Sequence, residues 1–313
     1  MPVAVVTASG VLATGIWTGI LMRYAVLYTL LRNNCVSLIT GLAVLVCMGA
    51  GTFAAAAGLP TAASINLCAD QLLLLLAQEK QILSLSNLSH REAGSYYFEK
   101  ARQYPVNKGD AENILNLNPD VVIVGQYSSV HTVNLLREVG LRVETLPLAN
   151  DLETLFSNIQ QVASWVDAQA EGDNIVRLLR DRLDQLDPPV TPQPVAAVYD
   201  PNGYTSGANS LRGQMMELAG WQNAASLVGI ESYGKLTLEE IIRLSPDALI
   251  ESPYSPGTYS RAQIMSQHPA LLGAGLQPRV INVPSRMTVC AGPWTVDVIE
   301  QLQSVRKSLS ADS

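Results

Sequence analysis

The chain has 313 residues and a formal net charge of −7 at pH 7. This length exceeds the usual size of a single hydrophobic core, so we expect more than one domain. The acidic balance argues against nucleic acid as a partner, because nucleic-acid binding requires a basic surface.

The first 57 residues differ in composition from the rest of the chain. They contain no acid and only two bases, Arg23 and Arg32, and residues 35–57 form an apolar run that ends in small residues. Bases, an apolar run and an Ala-x-Ala ending are typical of a secretory signal peptide. We therefore predict that residues 1–57 are a leader, cleaved after Ala57, and that the protein is exported to the periplasm.

This leader is longer than an ordinary signal peptide, and several explanations stay open. A true start at Met22 would give a leader of normal length. Alternatively, residues 3–21 and 36–56 are each long enough to cross a bilayer, and an uncleaved leader would anchor the protein in the membrane. A lipid anchor at Cys47 is disfavoured, since Val46 precedes it where a small residue is expected.

Two cysteines, Cys68 and Cys290, lie outside the leader. In an oxidising compartment they are able to pair. Because 222 residues separate them and they fall in different predicted lobes, we expect two small buried thiols instead.

Residues 58–150 alternate between predicted strands and helices. Five consecutive leucines at 72–76 indicate a buried helix, and the continuous apolar run at 121–124 is typical of a strand covered on both faces. This alternation predicts an N-terminal α/β lobe with a parallel sheet. Its predicted elements are a strand at 64–67, a helix at 70–77, a polar and aromatic loop at 84–110, the strand at 121–124, a helix at 130–139 and a strand at 141–146.

Residues 151–193 are predicted to be helical for most of their length, with a break near Gly172. Leucines and isoleucine recur at helical spacing in 175–186. The part from 173 to 186 alone is about 20 Å long, so the helix is able to bridge two lobes as a stiff strut. Residues 194–313 then form a C-terminal α/β lobe. Its predicted elements are a strand at 195–199, a loop at 200–210, helices at 211–219, 261–267 and 295–309, a strand at 279–283 and a loop at 284–293.

An internal repeat supports the two-lobe interpretation. Residues 111–128 and 238–255 align without gaps with eight identities, and each copy predicts a helix, a Pro-Asp break, an apolar strand and a Tyr-Ser loop. Ligands bind outside the carboxyl ends of the strands in open α/β sheets. We therefore expect Tyr127 and Tyr254 on opposite walls of one cleft. Chance agreement is the alternative, because this helix–strand pattern is common.

Motifs for catalysis are absent from the sequence. It contains no G-x-S-x-G, P-loop, G-x-G-x-x-G or H-E-x-x-H pattern, and its three histidines are dispersed, so we expect neither an enzyme nor a dedicated metal site. Aromatic and polar side chains accumulate instead at the predicted strand ends, where they suit a bulky, partly polar ligand. The predicted ligand-binding residues are Asn66, His90, Arg91, Tyr97, Tyr127, Asn202, Tyr204, Tyr233, Tyr254, Arg286 and Trp294.

The chain from 64 to 305 resembles periplasmic substrate-binding proteins of the ferric-siderophore and cobalamin class. Six segments in this order carry the resemblance: INLCADQLLLLL (65–76), PVNKGDAENILNLNPDVVIVG (105–125), YDPNGYTSGANSL (199–211), ELAGWQNAA (217–225), YGKLTLEEIIRLSPDALI (233–250) and CAGPWTVDVIEQL (290–302). The resemblance implies two α/β lobes joined by a single long helix, with no cofactor. It also implies a monomer that captures a ferric siderophore, haem or corrinoid in the cleft and delivers it to an inner-membrane ABC permease.

The resemblance leaves the docking residues and the ligand undetermined. Family members dock on the permease through an acid near the tip of each lobe, whereas SSVHTVNLL (128–136) and PGTYSRAQI (256–264) lack one, which leaves Glu92 or Glu99 as alternatives. The ligand is also not fixed by the pattern. A binding protein for free zinc or manganese, or a membrane-anchored sensor or assembly factor on the same fold, remain the competing hypotheses.

Overall fold

The computed structural model of the protein describes residues 58–253 and 268–311. Residues Leu59–Ser313 belong to one compact unit, which holds both lobes. The predicted leader, the predicted helix at 261–267 and Tyr254 lie outside the described residues. Within the described ranges, no helix combines the length and the apolar character needed to cross a membrane.

The first lobe is a five-stranded parallel sheet in the order β3-β2-β1-β4-β5. Every residue of β4 is buried, as its uninterrupted apolar sequence predicts. The strands are β1 (Ala62–Ser64), β2 (Ile82–Ser86), β3 (Val106–Asn107), β4 (Val121–Gly125) and β5 (Val143–Leu146). The helices are α1 (Leu67–Leu76), α2 (Phe98–Ala101), α3 (Ala111–Leu115) and α4 (Val130–Glu138).

The second lobe repeats this plan with a four-stranded parallel sheet in the order β11-β10-β6-β8 and a separate antiparallel pair, β7 and β9. The strands are β6 (Val195–Val198), β7 (Tyr204–Ser206), β8 (Gln222–Asn223), β9 (Tyr233–Lys235), β10 (Ala248–Glu251) and β11 (Arg279–Asn282). The helices are α7 (Leu211–Leu218), α8 (Ala224–Leu227), α9 (Leu238–Leu244), α10 (Pro269–Gly273) and α11 (Trp294–Ala311), numbered after the connecting helices α5 and α6. The predicted two-lobe α/β fold class is confirmed.

The connection between the lobes is a pair of antiparallel helices, α5 (Leu152–Trp165) and α6 (Gln169–Asp184). The chain reverses at Asp167, whose φ is +55°, so the predicted break near Gly172 is wrong. Gly172 instead lies inside α6 where the two helices approach closely, since a Cβ there would lie 2.6 Å from the Cβ of Ala163. The longer helix of the pair is α6, which has 16 residues and is about 24 Å long at 1.5 Å per residue.

Ion pairs fix the far end of α6 to the second lobe. Arg182 lies 2.7 Å from a carboxylate oxygen of Asp297 and 2.7 Å from one of Glu300, both on α11. The hydrogen bonds that this guanidinium donates to Glu300 and then to Asp297 hold its pKa above the ordinary value. The predicted strut is therefore attached to the C-terminal helix by a bidentate pair as well as by packing.

Several boundaries differ from the predictions because side chains cap or pair locally. Asn66 accepts hydrogen bonds from the backbone of Cys68 and Ala69, so α1 begins at Leu67. The strand predicted at 64–67 therefore ends earlier, at Ser64. The predicted loop at 84–110 is wrong as a structureless segment, since it holds the end of β2, all of α2 and β3. The predicted loop at 200–210 likewise contains β7.

The largest error concerns the cysteines, which form a disulfide and not two free thiols. The Cα atoms of Cys68 and Cys290 lie 5.2 Å apart, so the bond joins the first turn of α1 to the segment before α11. Sequence separation misled the prediction, because the fold brings the amino ends of α1 and α11 together. Further contacts between the lobes are Ser285 Oγ to the Ala93 carbonyl, 2.5 Å, and the Leu152 amide to Gln214 Oε1, 2.8 Å.

Candidate functional site

A cavity of about 300 Å³ lies between the two lobes. Residues that follow β1, β4 and β6 line it, so it occupies the position outside the carboxyl ends of parallel strands where ligands bind in such sheets. The first lobe contributes Asn66, Cys68, Leu72, Gly125, Gln126, Tyr127, Leu146, Pro147, Leu148, Ala149, Leu155 and Asn158. The second lobe contributes Asp200, Tyr204, Thr205, Ser206, Leu211, Arg212, Met215, Tyr233, Met287, Thr288, Val289, Cys290 and Ala291.

Asn66 reaches the cavity as the N-cap of α1. Its Oδ1 accepts hydrogen bonds from the amides of Cys68 (3.0 Å) and Ala69 (3.1 Å), which leaves its Nδ2 as the group available to a ligand. The Asn66 side chain lies against Gly125 at the end of β4, where a Cβ on residue 125 would overlap it. Glycine at this position therefore allows the cap and the strand end to meet.

Three tyrosines give the cavity its aromatic wall. Tyr127 follows β4 and is 80% exposed, while Tyr204 and Tyr233 stand on the β7–β9 pair and are 53% and 63% exposed. Lys235 Nζ lies 4.6 Å from the ring centroid of Tyr204, a cation–π contact that holds this ring. The hydroxyl of Tyr233 lies 3.4 Å from Asn150 Oδ1, so this tyrosine spans from the second lobe to the first.

The sequence analysis missed an ion pair in the cavity wall. The guanidinium of Arg212, in the first turn of α7, pairs with Asp200 and donates to Ser252 Oγ at 3.0 Å. The Ser252 amide in turn donates to Asp200 Oδ1 at 3.2 Å. The only available signal was the position of Asp200 directly after a strand, because the pairing itself depends on how α7 packs on the sheet.

The disulfide forms part of the cavity surface, since both Cys68 and Cys290 line it. Next to it, the ring of Trp294 stacks on Tyr96 with centroids 4.4 Å apart, and Trp294 Nε1 donates to the Cys290 carbonyl at 2.9 Å. Trp294 is 1% exposed. It is not a wall residue, because its ring is buried against Tyr96 and Tyr97.

Other predicted ligand-binding residues also lie away from the cavity lining. His90 Nε2 is 2.9 Å from the Ala101 carbonyl, and Arg286 pairs across the lobes with Glu92 at 3.8 Å. Tyr97 packs edge-on against Trp294, and burial, followed by the neighbouring Tyr96, raises its pKa. Arg91 and Asn202 are exposed, Asn202 in a left-handed turn. Of the predicted set, the cavity brings together Asn66, Tyr127, Tyr204 and Tyr233.

One buried carboxyl lies behind the first lobe's share of the site. Asp70, on α1, accepts hydrogen bonds from Ser86 Oγ (2.5 Å) and the Ser86 amide (3.0 Å). Complete burial raises the pKa of Asp70 to about 7, and the hydrogen bonds from Ser86 partly oppose this rise. Asp70 does not line the cavity, and its role is to join α1 to the end of β2.

Metal ligands do not cluster in the part of the chain that the structure describes. No group of three or more His, Cys, Asp or Glu side chains there is arranged to hold an ion. The cavity wall instead combines aliphatic side chains with phenols, one amide cap and one ion pair. Such a surface suits an organic ligand that carries both apolar and polar edges.

Comparison with known proteins finds a matching family, sequence relatives and similar solved structures. The model of the family described as periplasmic binding protein matches residues 63–287. A cobalamin-binding protein of Halobacterium salinarum is 25% identical over 146 residues, which cover 45% of this chain and 40% of that protein. The molybdate-binding protein MolA of Haemophilus influenzae is 22% identical over 204 residues, 55% of this chain and 57% of that protein. The chain thus matches less than two thirds of the length of these curated relatives.

Among solved structures, the periplasmic haem-binding protein RhuT from Roseiflexus sp. RS-1, in apo form, superposes with a TM-score of 0.60 at 20% identity. The alignment covers 80% of this chain and 98% of that one. These three relatives are named for three different ligands: cobalamin, molybdate and haem. The similarity therefore supports the fold but does not identify the ligand of this chain.

Proposed function

Because the chain belongs to the periplasmic binding protein family, we propose that it is the substrate-binding component of an ABC importer and captures a metal chelate between its lobes. The observation that carries this proposal is the cavity at the strand ends of both sheets, walled by aliphatic side chains and three tyrosines. A bulky chelate would bury its apolar faces there while phenol hydroxyls orient its polar rim. Related proteins are named for haem and for cobalamin, which are chelates of this kind.

A bare metal ion is the weaker alternative. Zinc or manganese requires several nitrogen, sulfur or carboxylate ligands that converge on one point. The described lining offers two cysteines that are joined to each other and one carboxylate that is paired with arginine. In a chelate, by contrast, the organic ligand supplies most of the metal's ligands, and a phenol such as that of Tyr127 is able to complete the shell of a haem iron.

The mechanism we propose relies on a cavity that is largely formed before the ligand arrives. The disulfide joins the lobes in the cavity wall, the Tyr96–Trp294 stack joins them beside the disulfide, and α6 joins them through the ion pairs of Arg182. A preformed site loses less conformational freedom on binding than one whose halves must first close, which favours affinity. Tyr233 is more than half exposed and contacts the first lobe through a 3.4 Å hydrogen bond to Asn150, so it is the side chain that we expect to move when the chelate enters.

Membership of this family implies a location outside the cytoplasm and a partnership with an ABC permease. We propose the periplasm as the compartment, with residues 1–57 as the export signal. The first turn of α4 carries no acid that would mark a docking site at the tip of the first lobe. Glu92 is paired with Arg286 across the lobes, so Glu99, which is exposed, is the better candidate for docking charge.

The proposal is tested by titrating protein purified from the periplasm with haem, cobalamins and ferric siderophores. Trp165, Trp221 and Trp294 are buried, and Trp294 lies directly behind the cavity. Binding of a coloured chelate should quench tryptophan emission in a saturable manner. Absence of binding to every chelate, together with zinc, manganese or molybdate that co-purifies and binds stoichiometrically, would overturn the proposal in favour of an ion-binding protein.

A further inference from the structure

The charges of the cavity wall cancel. Asp200 and Arg212 are the charged residues of the lining as far as the structure describes it, and they pair with each other. The two side chains are only 22% and 16% exposed, so water screens them weakly. The second amino group of Arg212 is also occupied, by Ser252 Oγ at 3.0 Å. Arg212 therefore does not present a free positive charge to a ligand.

This arrangement disfavours a carboxylate on the buried face of the ligand. An incoming carboxylate would meet Arg212 only in competition with Asp200, and the two negative groups would then share one cation in a partly buried site. A neutral polar group meets no such repulsion. The pair is anchored by the Ser252 amide to Asp200, so Asp200 does not simply rotate out to make room.

Two further polar atoms of the wall lack partners. Asn158 donates through Nδ2 to the Pro147 carbonyl at 2.9 Å, and because a carbonyl only accepts, its Oδ1 must be the free atom. That Oδ1 and Thr205 Oγ1 are buried and have no hydrogen-bond partner among the described residues. Both residues line the cavity, from opposite lobes. A ligand N–H that gains access to Asn158 Oδ1 would satisfy it, whereas a carboxylate cannot donate to it. The Thr205 hydroxyl both donates and accepts, so it is able to pair with either rim group.

We propose that the cavity selects a chelate whose buried rim carries neutral carboxamides and rejects one whose rim carries carboxylates, with the Asp200–Arg212 pair and Asn158 as the determinants. This inference rests on the proposed function and narrows it. Carboxamides supply N–H groups for Asn158 Oδ1 and carbonyl groups for tyrosine hydroxyls, and they bring no charge to the paired wall.

The test compares chelates that differ only in rim chemistry. A corrinoid with intact rim amides is compared with the same corrinoid hydrolysed to carboxylates, and haem with its diamide, each titrated into the full chain. We expect at least ten-fold tighter binding of the amide form in whichever ring system binds. Equal binding, or tighter binding of the carboxylate form, would overturn the inference while leaving the proposed function intact. Failure of every chelate to bind would instead remove the proposed function.

A variant that removes the charge of Asp200 tests whether the ion pair determines the preference for amides. Asp200→Asn keeps the Oδ1 that accepts from the Ser252 amide but leaves Arg212 without a counter-charge. We expect this variant to bind the carboxylate form at least ten-fold more tightly than the native protein does. Glu217→Gln, which makes the same charge change on an exposed position of α7, should leave the preference unaltered. An identical preference in Asp200→Asn and the native protein would refute the role of the pair.

Discussion

Removal of the interlobe disulfide should destabilise the protein by several kilocalories per mole. The bond closes a chain segment of 222 residues, and the chain-entropy relation for such a loop gives about 5 kcal/mol at 25 °C. Replacing both Cys68 and Cys290 by alanine removes the cross-link without leaving a polar group in the buried Cys290 site. With a urea m-value of about 3 kcal/mol per M, the unfolding midpoint should fall by roughly 1.7 M.

The assay is equilibrium urea unfolding followed by far-UV circular dichroism, with and without a reducing agent. Reductant should lower the midpoint of the native protein towards that of the double variant and should not change the double variant. The reasoning fails if the oxidised native protein and the double variant unfold within about 0.3 M of each other, since about 1 kcal/mol is then all that the cross-link contributes.

Three further predictions concern single positions. Since the pKa of Asp70 is raised to about 7, the folded state binds this proton more tightly than the unfolded state, and the free energy of unfolding should fall by about 4 kcal/mol between about pH 4 and pH 7. Asp70→Asn should flatten this dependence in urea titrations at several pH values, and an unchanged slope would contradict the assignment. Gly125→Ala should cost about 1–2 kcal/mol by displacing the Asn66 cap, whereas Gly273→Ala, in open space, should be nearly neutral in the same thermal melt. Tyr127→Ala should weaken chelate binding at least ten-fold without moving the unfolding midpoint, because this side chain is 80% exposed; a shifted midpoint with unchanged affinity would exclude it from the site.

The internal repeat predicted two strands correctly because its pattern depends on residues that are neighbours in sequence. An apolar run after a Pro-Asp break becomes a buried parallel strand in both copies, as β4 and β10. Strand-end tyrosines then follow from the topology, since the carboxyl ends of parallel strands meet at one edge. Tyr127 lines the cavity for this reason, whereas Tyr204 and Tyr233 reach it from the antiparallel β7–β9 pair.

Errors arose where a residue's partner is distant in sequence. Arg286 carries the positive charge expected of an anion-binding residue, but it forms an ion pair with Glu92 of the other lobe. Trp294 has the size expected of a ligand wall, yet it stacks on Tyr96 behind the disulfide. Arg212 attracted no notice as an ordinary first-turn residue, and only the packing of α7 on the sheet places it beside Asp200. None of these pairings leaves a periodic trace in the sequence.

The disulfide at the cavity also limits when, after synthesis, the two lobes become covalently linked. Disulfides form outside the reducing cytosol, and this one requires a cysteine that follows its partner by 222 residues. The bond therefore forms only after both lobes have been synthesised and have folded against each other. A copy retained in the reducing cytosol would lack this covalent link between the lobes.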